Sequence, residues 1–176
     1  MPYIILQGLP GIGKTTLTKK IATKLKDMAL EVTGFYTEEL RDSKNYRIGF
    51  DIVTLDNVRG VLARKSNAGS ESKYKVGSYN VHIEEFEKVA LPIFNKTSSI
   101  LIIDEIGKME LLSKKFEAKI KTVLTGQKGK IIATVPLKGG GPLVQKLKSD
   151  TSNHLFTVNV ANRDNLVEEI IPLILQ

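Results

Sequence analysis

Two rhythms of apolar and polar positions run along this chain, and the points where one replaces the other mark its elements. Tyr3-Ile-Ile-Leu6 is a short, continuously apolar run leading to Gly8, the pattern of a strand buried on both faces. Spacings of four, four and three then join Leu17, Ile21, Leu25 and Met28, which predicts an amphipathic helix from Lys14 to Met28. Glu31–Glu38 reads as the next strand. From Leu40 to Val81 the grammar changes to short β-prone pieces, Tyr46–Leu55, Val58–Arg64 and Tyr74–Val81, broken by polar segments such as Asp42–Asn45 and Ser66–Lys73. That is the signature of hairpins: an antiparallel insert over about residues 40–82, with Ser66–Lys73 as a mobile tip.

Helical spacing returns through Ile83, Phe86, Ala90 and Phe94, and Pro92 must kink or end that helix because it has no N–H to give. Ile100-Leu-Ile-Ile103 is the most apolar strand candidate, and Leu112, Phe116, Ile120 and Val123 mark a further amphipathic helix. Lys130–Val135 is a strand, Pro136 to Pro142 a breaker cluster, Leu143–Lys148 a short helix and Leu155–Val160 a last strand. Asp164–Leu175 closes the chain as a helix, with Asn162 a candidate cap. Strands alternating with helices at both ends predict a three-layer α/β architecture with a mostly parallel sheet covered on both faces. No internal repeat or linker interrupts it, so the 176 residues read as one domain.

Two short segments carry chemistry. Gly8-Leu9-Pro10-Gly11-Ile12-Gly13-Lys14-Thr15 fits the phosphate-loop pattern G-x-x-x-x-G-K-[ST], placed where that pattern needs to be, after an apolar strand and before an amphipathic helix. Successive backbone N–H groups of such a loop converge on phosphate oxygens, and the helix adds the positive end of its dipole. Lys14 is expected on the β- and γ-phosphates, the Thr15 hydroxyl on Mg²⁺ and Thr16 on the α-phosphate. The second segment is Asp104-Glu105 at the exit of Ile100–Ile103. Asp104 suits the magnesium shell, and Glu105 suits the general base that places a water for in-line attack. Taken alone, two acids after a strand would equally suit a helix N-terminus. Thr134 is a candidate γ-phosphate or water contact, and Arg163, at the start of the last helix, a candidate contact of base or ribose.

Composition narrows the field. The chain has no cysteine, which excludes a disulfide framework, a cysteine nucleophile and cysteine-bound zinc or iron–sulfur sites. No apolar run reaches the 18 residues of a membrane span, and the expected location is cytoplasmic. Net charge is +7, carried mostly by lysines on the polar faces of the predicted helices. Four of the five arginines, Arg41, Arg47, Arg59 and Arg64, fall in one 24-residue stretch within an aromatic-rich region. Interleaving of this kind suits either a solvated hairpin or a surface for RNA or DNA, and it leaves open an arginine that closes over bound nucleotide.

With these residues in place, the chain resembles the small P-loop nucleoside triphosphatases known from thermophiles and, in animals, as cancer-related nucleoside triphosphatase. The likeness extends through Gly34-Phe-Tyr-Thr-Glu-Glu39, Arg47–Leu55, Arg59-Gly60, Leu62–Arg64, Val76-Gly77 with Tyr79, Ala90–Pro92 and Ile103–Leu111. It departs at Ala133, where glycine is expected, and in the triple glycine Gly139–Gly141. The resemblance implies a RecA/AAA+-like sheet with antiparallel additions and Mg²⁺-dependent hydrolysis of ATP, GTP and other triphosphates with little base selectivity. The expected state is a monomer. Two other functions share the same loop: a nucleotide or polynucleotide kinase, and an RNA-associated switch. No arginine in cis is an obvious source of transition-state charge, so slow basal turnover is expected.

Overall fold

The computed structural model describes residues 2–66, 72–126 and 129–176. Its strands are β1 (Ile4–Gly8), β2 (Val32–Arg41), β3 (Arg47–Thr54), β4 (Arg59–Lys65), β5 (Lys75–Val76), β6 (Tyr79–Val81), β7 (Ile100–Asp104), β8 (Lys130–Pro136) and β9 (His154–Thr157). Its α-helices are α1 (Lys14–Asp27), α2 (Ile83–Ala90), α3 (Lys114–Thr125), α4 (Gly141–Ser149) and α5 (Leu166–Leu175). All nine strands join one mixed sheet in the order β5-β6-β4-β3-β2-β7-β8-β1-β9. β2, β7, β8, β1 and β9 pair in parallel, while β2-β3, β3-β4, β4-β6 and β6-β5 pair antiparallel. The expected insert is therefore a wing grown from the edge of the parallel half, with β2 belonging to both.

The period-two alternation of the strands sorts the core into two layers. Ile4, Leu6, Ile100, Ile102 and Ile132 meet Leu17, Ile21 and Leu25 of α1 and Ile170 of α5. Ile5, Phe35 and Ile103 face the other way, toward Phe86 of α2, Phe116 of α3 and Val144 of α4. There the rings of Phe35, Phe86 and Phe116 pack mutually at centroid distances of 5.1–6.0 Å. The result is the α/β/α sandwich that the alternating pattern predicts. β2 approaches β7 so closely that a methyl group at Gly34 would stand 1.9 Å from the Ile102 carbonyl oxygen.

Several boundaries differ from expectation. The stripe of α1 stops before Met28, which lies past the helix end and is 44% exposed. The helix expected over Ile83–Phe94 is an α-helix only to Ala90. Pro92 then sits in the first turn of a 3-10 segment, Leu91–Asn95, because its ring denies the α-helix a hydrogen bond there. Leu112 likewise falls in a 3-10 turn, Glu110–Leu112, and α3 begins after Ser113, whose hydroxyl caps the Phe116 N–H at 3.1 Å. α5 starts later than expected. Asn162 does not cap it: its side chain accepts from the Asn159 N–H at 2.9 Å and donates to the Thr157 carbonyl at 2.9 Å, closing the preceding loop instead. Residues 67–71 of the expected mobile tip lie outside the described residues.

Candidate active site

The site sits where the parallel strands end. β1 finishes at Gly8, the loop Leu9–Gly13 turns through left-handed angles at Gly11 and Gly13, and α1 begins at Lys14. Leu9, Pro10 and Gly11 are exposed, Ile12 and Gly13 half-buried. A side chain at Gly8 would meet Ile12 Cγ2 at 2.8 Å and the Val158 carbonyl at 3.2 Å, so the loop's entry admits only glycine without rearrangement.

Lys14 is buried, yet its ammonium has partners on every side. It donates to the Gly8 carbonyl at 3.0 Å and the Leu9 carbonyl at 3.3 Å, and it stands 3.3 Å from Glu105 Oε2. Thr15 is half-buried, and its hydroxyl is among the groups that pull the Asp104 pKa down. Thr16 is exposed on the outer side of the same turn. Arg163, arriving from the segment before α5, donates to the Ile12 carbonyl at 3.2 Å, and its Cδ lies beside Gly13. The loop is thus flanked by Arg163 on one side and Glu105 on the other.

Asp104 ends β7 and is 1% exposed. Its two oxygens are held by hydroxyls: Thr134 of β8 on Oδ1, and Thr18 of α1 on Oδ2 at 3.3 Å. Burial raises its pKa, and the hydroxyl bonds and the Lys14 charge pull against that without reversing it. Glu105 follows across a cis peptide and is half-buried. Burial raises its pKa too, opposed by Lys14 and reinforced by Asp104. A third carboxyl completes the group. Glu110 is 5% exposed and accepts the Gly107 N–H at 3.2 Å. Burial, then the charges of Glu105 and Asp104, push it to about 8, so it is protonated at neutral pH.

A buried carboxylate beside hydroxyl groups is an all-oxygen donor set, which suits a hard cation such as Mg²⁺. Among the described residues no group of three or more acidic, histidine or cysteine side chains could cage a metal by itself.

The arginine-rich stretch lies on the antiparallel wing, as the solvated-hairpin reading expects. Arg59 and Arg64 grip the buried Asp51 at 2.8 and 2.6 Å, and Arg59 also meets Glu38 at 3.1 Å. Arg41 and Arg47 both pair with Glu39, Arg47 at 2.6 Å. All four guanidiniums are spent on carboxylates of the wing itself. Thr18, Glu110 and Lys148 take part in the site or its border without having been singled out in the sequence. Only Glu110 carried a signal, its place in the acidic segment Ile103–Leu111.

A phosphate loop at the end of β1, with a carboxylate pair at the end of β7 and β8 between them, is the arrangement of P-loop nucleotide-binding proteins. Within that class the chain belongs to the NTPase family, whose model matches residues 3–171. It is 38% identical to the nucleoside-triphosphatase THEP1 of Thermotoga maritima, over 97% of this chain and 94% of that one. The human cancer-related nucleoside-triphosphatase is 37% identical, over 96% and 94%. Among solved structures, THEP1 from Aquifex aeolicus superposes with a TM-score of 0.86 at 35% identity, covering 99% of both chains. The solution structure of the human protein gives 0.81 at 37% identity. Among the described residues no helix is long and apolar enough to cross a membrane.

Proposed function

We propose that this single-domain chain is an enzyme that hydrolyses nucleoside triphosphates to the diphosphate and inorganic phosphate. The observation that carries this reading is the meeting of Lys14 and Glu105 at 3.3 Å, one from the phosphate loop and one from the end of β7. A γ-phosphate seated against that ammonium would have a carboxylate beside it, placed to accept a proton from an attacking water. The names of the relatives support hydrolysis over transfer to an organic acceptor.

In this reading the loop N–H groups and Lys14 bind the β- and γ-phosphates, Thr16 reaches the α-phosphate, and Arg163 lines the nucleoside end. Thr15 and Asp104 would hold Mg²⁺, which when bound would supply positive charge to offset that of the triphosphate. Thr134 and Thr18 orient Asp104, fixing one carboxylate oxygen each. Glu105 holds the attacking water, and Glu110, kept neutral, spares that corner a further negative charge.

Triphosphate labelled on the γ-phosphorus tests the reading when mixed with magnesium, candidate acceptors and RNA in turn. Label recovered as free phosphate without acceptor or RNA is expected. Label on an acceptor would make the protein a kinase, and release that requires RNA would make it a switch. Glu105→Gln should cut kcat about 10²–10⁴-fold while still binding triphosphate. Near-parental release of phosphate would remove Glu105 from the reaction.

A further inference from the structure

Lys148, near the end of α4, turns inward beside the buried Leu147, while Lys146 on the same helix is exposed. Its ammonium donates to the carbonyls of Pro136 at 2.6 Å and Leu137 at 2.9 Å, where β8 ends. That strand end lies against the start of the phosphate loop. Gly8 and Pro136 are register partners, and the Leu137 N–H donates to the Gly8 carbonyl at 3.2 Å. The same Gly8 carbonyl accepts from Lys14 at 3.0 Å. Two ammonium groups, from α1 and α4, therefore converge on adjoining strand ends, and each favours the ionised form of Glu105.

The partners of Lys148 are unusual for an inward-facing cation here. Among the described residues no carboxylate lies within ion-pairing distance of it, whereas Lys14 and all four wing arginines have one. Burial lowers its pKa, and Glu105 works against that. An ammonium has three N–H donors, and two are spent on neutral carbonyls. A half-buried cation with an unspent donor beside a phosphate loop is a site for one more anionic oxygen.

We propose that Lys148 is a catalytic residue, donating from α4 to a γ-phosphate oxygen of the bound triphosphate and offsetting charge that develops there in the transition state. The role rests on the hydrolytic reading above. In the step it serves, the water oxygen bonds to the γ-phosphorus as the bond to the β–γ bridging oxygen breaks. The bridging oxygen leaves with its electron pair on the diphosphate, and the water's proton passes to Glu105. Lys148 neither gains nor loses a proton. It gives the site, within one chain, a cation of the kind that related machines take from an arginine.

The test compares the parent with Lys148→Gln, Lys148→Arg and Lys148→Ala in steady-state hydrolysis of magnesium ATP. It also follows the binding of ADP with and without aluminium fluoride, which mimics the transferring phosphoryl group. Lys148→Gln keeps an N–H donor for Pro136 and Leu137 but has no charge. It should lose about 10²-fold in kcat with KM and ADP affinity within about threefold of the parent, and aluminium fluoride should no longer tighten ADP. Lys148→Arg should recover part of the rate. Parental kcat in Lys148→Gln would overturn the proposal, leaving the lysine a clasp between α4 and β8. A loss confined to KM would overturn it as well. Should Lys148→Ala fail to fold, the Gln and Arg variants still decide. A parent that releases no phosphate refutes the hydrolytic reading and this role with it; a parent that turns over beside an equally active Lys148→Gln refutes this role alone.

Discussion

The two halves of the sheet bury carboxylates with opposite outcomes. In the wing, burial acts to raise the pKa of Glu39, but the hydrogen bond and charge of Arg47, with Arg41, overcome it and hold the group below its ordinary value. In the parallel half, burial prevails at Asp104, Glu105 and Glu110, each raised. The difference lies in the partners. Guanidiniums neutralise the wing's acids outright, whereas the acids of the parallel half are met by hydroxyls, backbone N–H groups and one lysine. A carboxylate already matched to arginine has little left to offer a ligand. One held by hydroxyls can still gain from a cation, which leaves the parallel half open to the chemistry proposed for it while the wing's pairs serve cohesion.

Removing a charged partner from each half should therefore damage different properties. Lys14→Ala is expected to have the largest effect: kcat/KM down about 10³-fold and triphosphate binding lost in titrations, with the circular dichroism spectrum unchanged. If it bound triphosphate as the parent does, the contrast between a reactive half and a cohesive half would fail.

Glu110→Gln sharpens the contrast through pH. Folded, Glu110 keeps its proton up to about pH 8, while in the unfolded chain the carboxyl ionises near its ordinary 4.5. Between those values the native state binds the extra proton, so stability falls as pH rises across the window and levels off above it. The Gln variant lacks this loss. Its advantage in unfolding free energy, read from urea titrations, should be absent near pH 4 and grow to a few kcal/mol by about pH 8. An offset independent of pH would show that Glu110 ionises alike in both states.

The smallest effect is expected at Asp51, whose two arginines are partly open to water at 46% and 35% exposure. Asp51→Asn should cost about 1–2 kcal/mol in denaturant unfolding, below the penalty for breaking a fully buried pair. Its kcat should stay within about twofold of the parent. A large loss of activity at parental stability would mean that the wing does more than hold itself together.

What the sequence disclosed follows from how local each signal is. The phosphate loop is eight consecutive residues whose spacing itself encodes the turn, so Gly8 through Thr15 could be read directly. Asp104 and Glu105 were legible because an uninterrupted apolar run points at them. The hydroxyl of Thr18 reaches Asp104 across 86 positions and that of Thr134 across 30, and only the strand order brings them together. Lys148 was hidden for the same reason, one lysine among 21, distinguished by the way α4 returns to the end of β8. The arginine-rich stretch left its alternatives open because composition shows the cations of a region without the acids they will face; the pairs with Glu38, Glu39 and Asp51 accord with the solvated hairpin among them. Asn162 fell short as a cap because its side chain was claimed by the loop before the helix.

The contact at Gly34 has a consequence for anyone who would remodel this protein. The wing and the nucleotide-binding half share β2, and at Gly34 the two backbones leave room for hydrogen alone against the Ile102 carbonyl. Two residues further on, Tyr36 stands in register with Asp104. An exchange of wings between relatives would thus have to carry that bare α-carbon across the graft, or the Asp104 end of β7 would lose its neighbour.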